Sequence, residues 1–182
     1  MARIVEQIYY DGSRERVERL GLAPLLNEIV ACVEGLQLYI LEKKDGNGGA
    51  AVRKMIDAQF VIAGGWTKRV SGDLDWAKCK VVNGTRVCLG VEVQFSARSD
   101  LIVVDMIHLN KAFREGRIDV GVLLVPSDRL GGFLTDRGPR MSDAKRHVDA
   151  ARLQDSPLIV LAVEHDGSGP ALPKQLKRPQ KL

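Results

Sequence analysis

Between Arg16 and Leu41, apolar residues recur near helical spacing at Val17, Leu20, Leu25, Leu26, Ile29, Val30 and Val33. Gly21 and Pro24 divide the stretch, so two helices are predicted, with Pro24 early in the second. The DGNGG run from Asp45 is a loop. From Ala50 to Phe60, Val52, Met55, Ile56 and Phe60 share one helical face, and Gly64-Gly65 ends that helix. The helix expected over Asp100 to Glu115 has Ser99 as its cap and Gly116 as its terminator. The nearly continuous apolar run Ile118 to Val125, stopped by Pro126, predicts a strand covered on both faces. Ser127 to Arg140 is polar and glycine-rich and is read as a long loop. A helix capped by Ser142 and running to Leu153 follows, then a buried strand from Pro157 to Val163.

The most informative pattern lies between the third helix and the fourth. Leu74 to Val82 and Thr85 to Phe95 flank Asn83-Gly84. A two-residue type I′ turn requires positive φ at both central positions, which Asn and Gly tolerate, so the segment predicts a β-hairpin. The resulting order is helices, hairpin, helix, strand, helix, strand. It implies an α/β fold: a mixed central sheet with an antiparallel hairpin, a right-handed crossover and helices on both faces.

The turn also sets a register. Val82 faces Thr85, and counting outward puts Cys79 opposite Cys88, Asp75 opposite Glu92 and Asp73 opposite Gln94. Side chains alternate along a strand, so Asp73, Asp75, Glu92 and Gln94 fall on one face. The pair formed by Asp75 and Glu92 is of the closer, non-hydrogen-bonded type, with Cα atoms roughly 4.5 Å apart. Facing like charges destabilise a sheet. A divalent cation resolves the conflict, and Mg²⁺ suits hard oxygen ligands supplied by one or two carboxylates, water and phosphate. That arrangement fits metal-assisted phosphodiester hydrolysis. From the residues alone the alternative stays open: a solvent-facing acidic pair relaxed by Lys78 and Lys80.

Composition narrows the setting. The 182 residues are 45% hydrophobic and 27% charged, an ordinary globular mix for a single domain, read over 1–169. No apolar run approaches the roughly 20 residues of a membrane span, and no membrane partner is expected. Three cysteines without paired metal spacing point to a reduced, cytoplasmic compartment, so Cys79 and Cys88 are read as two small sheet residues rather than a disulfide. The net charge of +4 is matched by Lys174, Lys177, Arg178 and Lys181 near the C-terminus. Residues 170–182 are therefore read as a basic, flexible tail. The GGAAVR segment lacks the Lys-Ser/Thr of a phosphate-binding loop, so no nucleotide cofactor is expected.

In order, Asp75, then Glu92-Val93-Gln94, a helix, and the strand Ile118 to Pro126 resemble the PD-(D/E)XK nuclease fold. Within it, the Glu-x-Gln form is similar to the BglII-like type II restriction endonucleases. The approach Met55-Ile56-Asp57 to Phe60, then Gly65-Trp66, is also similar, and the resemblance spans about Ala50 to Pro126. It implies that Asp75 and Glu92 bind Mg²⁺ and that Asp75, Glu92 and Gln94 form the catalytic set. It also implies double-stranded DNA as substrate and a homodimer, with the Asp100 to Glu115 helix turning a second apolar face to its partner. Gln94 stands where most of the superfamily has Lys. Its amide is not a useful base, so it orients water or phosphate. The base stays open between a cation-activated water, a second water and the substrate phosphate. One departure is that no Pro precedes Asp75, and Asp73 competes for its role.

Ser96, Arg98 and Ser99 follow the catalytic strand and lead into a helix. In such enzymes that junction lies on DNA, and a helix start beside an Arg suits a phosphate or a base edge. Arg129 and Arg137, on a loop of mixed donors and acceptors, are the further DNA-contact candidates. His108, inside an apolar helix, is read as a packing or interface residue. Other nucleases of this fold, such as a junction resolvase or a nicking subunit, and a non-catalytic DNA-binding protein on a degenerate nuclease fold, are the alternatives.

Overall fold

A computed structural model describes residues 1–68, 74–96, 98–135, 138–151 and 156–174. Its centre is a six-stranded sheet. The strands are β1 (Arg3–Tyr10), β3 (Thr67–Lys68), β4 (Trp76–Val82), β5 (Thr85–Val93), β6 (Val120–Pro126) and β7 (Leu158–Glu164), in the spatial order β1-β7-β6-β5-β4-β3. The central strands β5, β6 and β7 are parallel. β1 closes one edge antiparallel to β7, and β4 and β3 extend the other edge antiparallel to β5. A separate pair, β2 (Tyr39–Ile40) and β8 (Gly167–Ser168), is parallel.

After the short first helix α1 (Ser13–Arg19), the longer helices cover both faces. On one side α2 (Ala23–Glu34) and α3 (Gly49–Ala63) bury Ile29, Val33, Val52, Ile56 and Phe60 against Val91, Val93, Val122 and Ile159. On the other side α4 (Ile102–Arg114) and α6 (Met141–Ala151) bury Ile102, Met106, Leu109 and Ala144 against Ala77, Cys88, Leu123 and Val160. Every residue of β6 is buried, which is why its sequence is an unbroken apolar run rather than an alternating one. Among the described residues, no helix is long and apolar enough to cross a membrane.

The hairpin forms in the register its turn dictates. Asn83 and Gly84 have φ of 49° and 80°, and pairing runs from Val82↔Thr85 out to Trp76↔Val91. Cys79 and Cys88 face each other with Cα atoms 4.0 Å apart and are joined by a disulfide. This corrects the reading of two free thiols: at a non-hydrogen-bonded pair the Cβ atoms already stand within bonding reach. Cys32 is a buried free thiol.

Further local features depart from the sequence reading. β1 carries no strand signal of its own beyond a weak alternation, and a register shift between Ile4 and Glu6 interrupts even that. It is an edge strand specified by β7. The polar stretch after β6 contains a short helix, α5 (Asp128–Phe133). Ser127 caps it, its hydroxyl accepting the Leu130 N–H at 3.0 Å. The Gly131-Gly132 pair in that helix made it read as a loop. Ser99 caps nothing: it opens a single 3-10 turn, Ser99–Leu101, ahead of α4, with extended Arg98 flanking it. Ser142 lies inside α6, its N–H donating to Asp128 Oδ1 at 3.0 Å. The chain after β8 stays against the body: the Leu172 carbonyl accepts the Gly48 N–H at 3.2 Å, and the Pro173 and Lys174 backbone lies beside Gly48.

Candidate active site

Two strands and two helices converge at the C-terminal end of β5. Asp75 stands just ahead of β4, and its Oδ2 accepts the Val93 N–H at 2.9 Å. That bond reaches across to β5 and holds Asp75 beside Glu92. Asp75 and Glu92 share the sheet face that packs against α4, the face of Ala77 and Cys88. α4 follows β5 after a short connection and lays Asp105 and His108 over that face. On the helix, Ile102, Asp105, Met106 and Leu109 fall on the side turned to the sheet. Asp105 is thus an acid inside an apolar stripe.

The fourth contributor is Arg53, one turn into α3. The start of α3 lies against the end of β5, where a Cβ on Gly49 would come within 1.8 Å of the Phe95 carbonyl oxygen. Only glycine permits that approach. It lets Arg53 reach around the strand end to pair with Asp75 Oδ1.

The Glu92 side chain is 4% exposed, and His108 Nδ1 lies 3.4 Å from its Oε1. Among the described residues, Glu92 Oε1 and Asp105 Oδ2 are buried with no hydrogen-bond partner. One ligand atom each from Glu92, Asp105 and His108 lie within 4.8 Å of one another. Burial pushes the Glu92 carboxyl up to about 10. The charges of Asp75 and Asp105 add to the rise, and Arg53 opposes it. Burial and then the charge of Asp75 push Asp105 up to about 7. Three acids crowd one arginine and one imidazole in a poorly solvated place, so Glu92 keeps its proton unless a cation takes the proton's place. Such a site attracts a cation.

Gln94 continues past β5, its backbone N–H donating to the Leu124 carbonyl at 2.9 Å. Its side chain is buried, and Nε2 donates to the Ser96 carbonyl at 3.1 Å.

These features have a family counterpart. The family model for restriction endonuclease BglII/BglIII matches residues 19–163. The chain belongs to that family. No curated protein matches it closely enough to count as a relative. Membership implies a nuclease with DNA as its substrate, and the mixed sheet with helices on both faces agrees with the restriction-endonuclease-like fold.

The DNA-contact candidates of this family member fall partly on the same sheet edge. Ser96 leaves β5 there, and its carbonyl is taken by Gln94. Arg98 is exposed and paired with Asp100 at 2.9 Å, and Ser99 opens the 3-10 turn. Because β5 and β6 are parallel, the helix that follows β6 emerges at the same edge. It carries Arg129, which pairs with Glu42 at 2.9 Å. Glu42 also meets His165 Nε2 at 2.8 Å, while Glu164 at the end of β7 accepts from the Ser127 hydroxyl at 2.7 Å. This polar network, buried at Ser127, Glu164 and His165 and open to solvent at Glu42 and Arg129, holds α5 down on the sheet. Asp73, Arg137 and residues 175–182 lie outside the described residues.

Three site residues escaped the sequence reading. The sequence marks His108 as a packing or interface residue and does not single out Asp105 and Arg53. Asp105 and His108 are three apart on the helix directly after Glu-x-Gln, and an acid on an apolar stripe was the available signal. Arg53 shares a helical face with Gly49 and Ile56, a weaker clue of the same kind.

Proposed function

We propose that the protein is a type II restriction endonuclease that hydrolyses phosphodiester bonds of double-stranded DNA at a short specific site, with Mg²⁺ and as a homodimer. The observation that carries this reading is the buried Glu92 carboxyl with an unpartnered oxygen, set beside Asp75 on the family's nuclease scaffold. A buried carboxyl oxygen without a partner is costly. A hard cation relieves that cost, so the donor set fits a divalent metal.

Asp75 and Glu92 are the residues assigned to hold Mg²⁺. When bound, the cation draws charge from the scissile phosphate and from the leaving oxygen. The remaining roles belong to the chain. Glu92 must give up its proton to become a ligand, so metal uptake releases protons. Arg53 pairs with Asp75 and would answer the charge of an incoming phosphate. Gln94 keeps a fixed amide at the strand end, which orients a water or a phosphate oxygen without taking a proton. Ser96, Arg98, Ser99, Arg129 and Arg137 are the proposed DNA contacts, with the arginines meeting phosphates or guanine edges.

The dimer draws on α4. Leu101, Val104 and Ile107 recur every three residues and are 40%, 41% and 50% exposed, while Ile102, Met106 and Leu109 are buried beneath them. Two such stripes packed by a two-fold axis match a palindromic site.

The direct test is digestion of a plasmid in Mg²⁺ by the wild type and by Glu92→Ala. Discrete fragments from the wild type, absent with the variant, are the expected result. Nicks or a smear would point instead to a resolvase-like or nicking nuclease. Binding without cleavage, indifferent to metal and to Glu92, would mark a non-catalytic DNA-binding protein.

A further inference from the structure

The donors around Glu92 differ in chemistry on its two sides. On the β4 side stands Asp75, whose two oxygens are already engaged by Arg53 and by the Val93 N–H. On the α4 side stand Asp105 and His108. There the site is under-satisfied: Glu92 Oε1 and Asp105 Oδ2, both buried, have no hydrogen-bond partner among the described residues. His108 Nδ1 is turned toward Glu92 at 3.4 Å, beyond good hydrogen-bond geometry. The three ligand atoms lie within 4.8 Å of one another. Ligands about 2.1 Å from one ion stand at most about 4.2 Å apart, so small side-chain rotations complete the set.

The imidazole decides which ion. Mg²⁺ takes oxygen ligands and sheds water reluctantly, so a nitrogen donor adds little for it. Two carboxylates with one imidazole suit a first-row transition dication, and affinity rises along that series.

We propose that Glu92, Asp105 and His108 form a second cation seat, on the α4 side of Glu92, that takes a first-row transition dication such as Mn²⁺ in preference to Mg²⁺. The seat rests on the nuclease reading in that it shares Glu92 with the Asp75 side. It assigns His108, which has no role in the family-derived set, as a direct ligand. Asp105 becomes the second carboxylate and Glu92 the bridge between the two positions.

The test uses metal-free full-length protein, Mn²⁺ as the probe, and electron paramagnetic resonance. The free-ion signal counts bound Mn²⁺, and the spin-echo modulation of the bound ion reports a directly attached ¹⁴N. The wild type is expected to bind two Mn²⁺ per chain, one of them coupled to nitrogen. His108→Asn is expected to bind one, without nitrogen coupling. Asp75→Asn keeps the nitrogen-coupled ion, and excess Mg²⁺ displaces the other ion first. Asp105→Asn, close in shape to the wild type, is expected to lose the nitrogen-coupled ion and covers the case in which His108→Asn does not fold. Absence of nitrogen coupling in the wild type overturns the proposal, as does coupling that survives in His108→Asn. Cleavage is scored separately in Mg²⁺. A wild type that cuts but shows no nitrogen coupling removes the second seat and leaves the nuclease reading. A wild type that shows the coupling but does not cut removes the nuclease reading and leaves the seat.

Discussion

Glu92 dominates the electrostatics of the site because it is an acid on a covered strand. Burial first, then the charges of Asp75 and Asp105, raise its carboxyl from 4.5 to about 10. The sign of the consequence follows from linkage. A carboxyl with a raised folded-state pKa binds a proton more tightly in the folded chain than in the unfolded one. Its contribution to stability is fully present below about pH 4.5 and is lost progressively as pH rises toward about 10. Asp105, raised from 3.8 to about 7, acts in the same sense over a lower window. The metal-free Glu92→Gln variant keeps the shape of the protonated acid and cannot ionise. It is expected to be more stable than the wild type at pH 8, with the difference shrinking to near zero by pH 4.5. Urea unfolding at a series of pH values in the presence of chelator measures this, and parallel pH profiles for the two proteins would sink it. The same residue shows how far the sequence could be read. Asp75, Glu92 and Gln94 were legible because a two-residue turn converts residue numbers into facing pairs. Asp105, His108 and Arg53 were not, because they come from helices whose placement over the strand end is fixed only by tertiary packing.

The elements divide along the same line. Helices with a clear apolar face, the hairpin and the two buried parallel strands are written locally, in periodicity and in turn residues. β1 is written in its partner: it is half-exposed, shifted in register between Ile4 and Glu6, and held by β7. β2 and β8 are two residues each, too short to show a period. The hairpin adds a case where a correct register was overruled by a weaker argument from cysteine number. Pairing brought Cys79 and Cys88 together, and the structure joins them. Unfolding the unreduced protein in denaturant with an alkylating reagent is expected to label one cysteine, Cys32, and reduction beforehand three, read by mass spectrometry. Because the bridge closes a loop of only 9 residues in sequence separation, its removal by Cys79→Ala with Cys88→Ala is expected to cost no more than about 3 kcal/mol in chemical unfolding. Three labelled cysteines without reductant would rule the bridge out.

At the scale of the whole molecule, three parallel strands point their C-terminal ends toward one edge, where Ser127 and Glu164 meet beyond the level of Glu92, which pairs with Leu123. The edge holds the acid site at β5 and the polar network that anchors α5 at β6 and β7. One nuclease domain of this size therefore presents one cutting centre, and cutting both strands of a duplex calls for two. α4 links the two requirements, since its inner side carries Asp105 and His108 to the site and its outer side exposes Val104 and Ile107, in line with Leu101 of the preceding 3-10 turn. An apolar stripe of this kind in water is stabilised by covering it with its own copy. Ile107 is 50% exposed in the single chain, so Ile107→Asp removes little from the monomer's own core. The variant is expected to sediment as a monomer at concentrations where the wild type is a dimer, with an unchanged thermal transition extrapolated to low concentration. Its action on supercoiled plasmid is expected to shift from linear product to nicked circles, because each chain then meets one strand at a time. A wild type that sediments as a monomer while cutting both strands, or an Ile107→Asp protein that remains dimeric, would remove α4 as the contact between subunits.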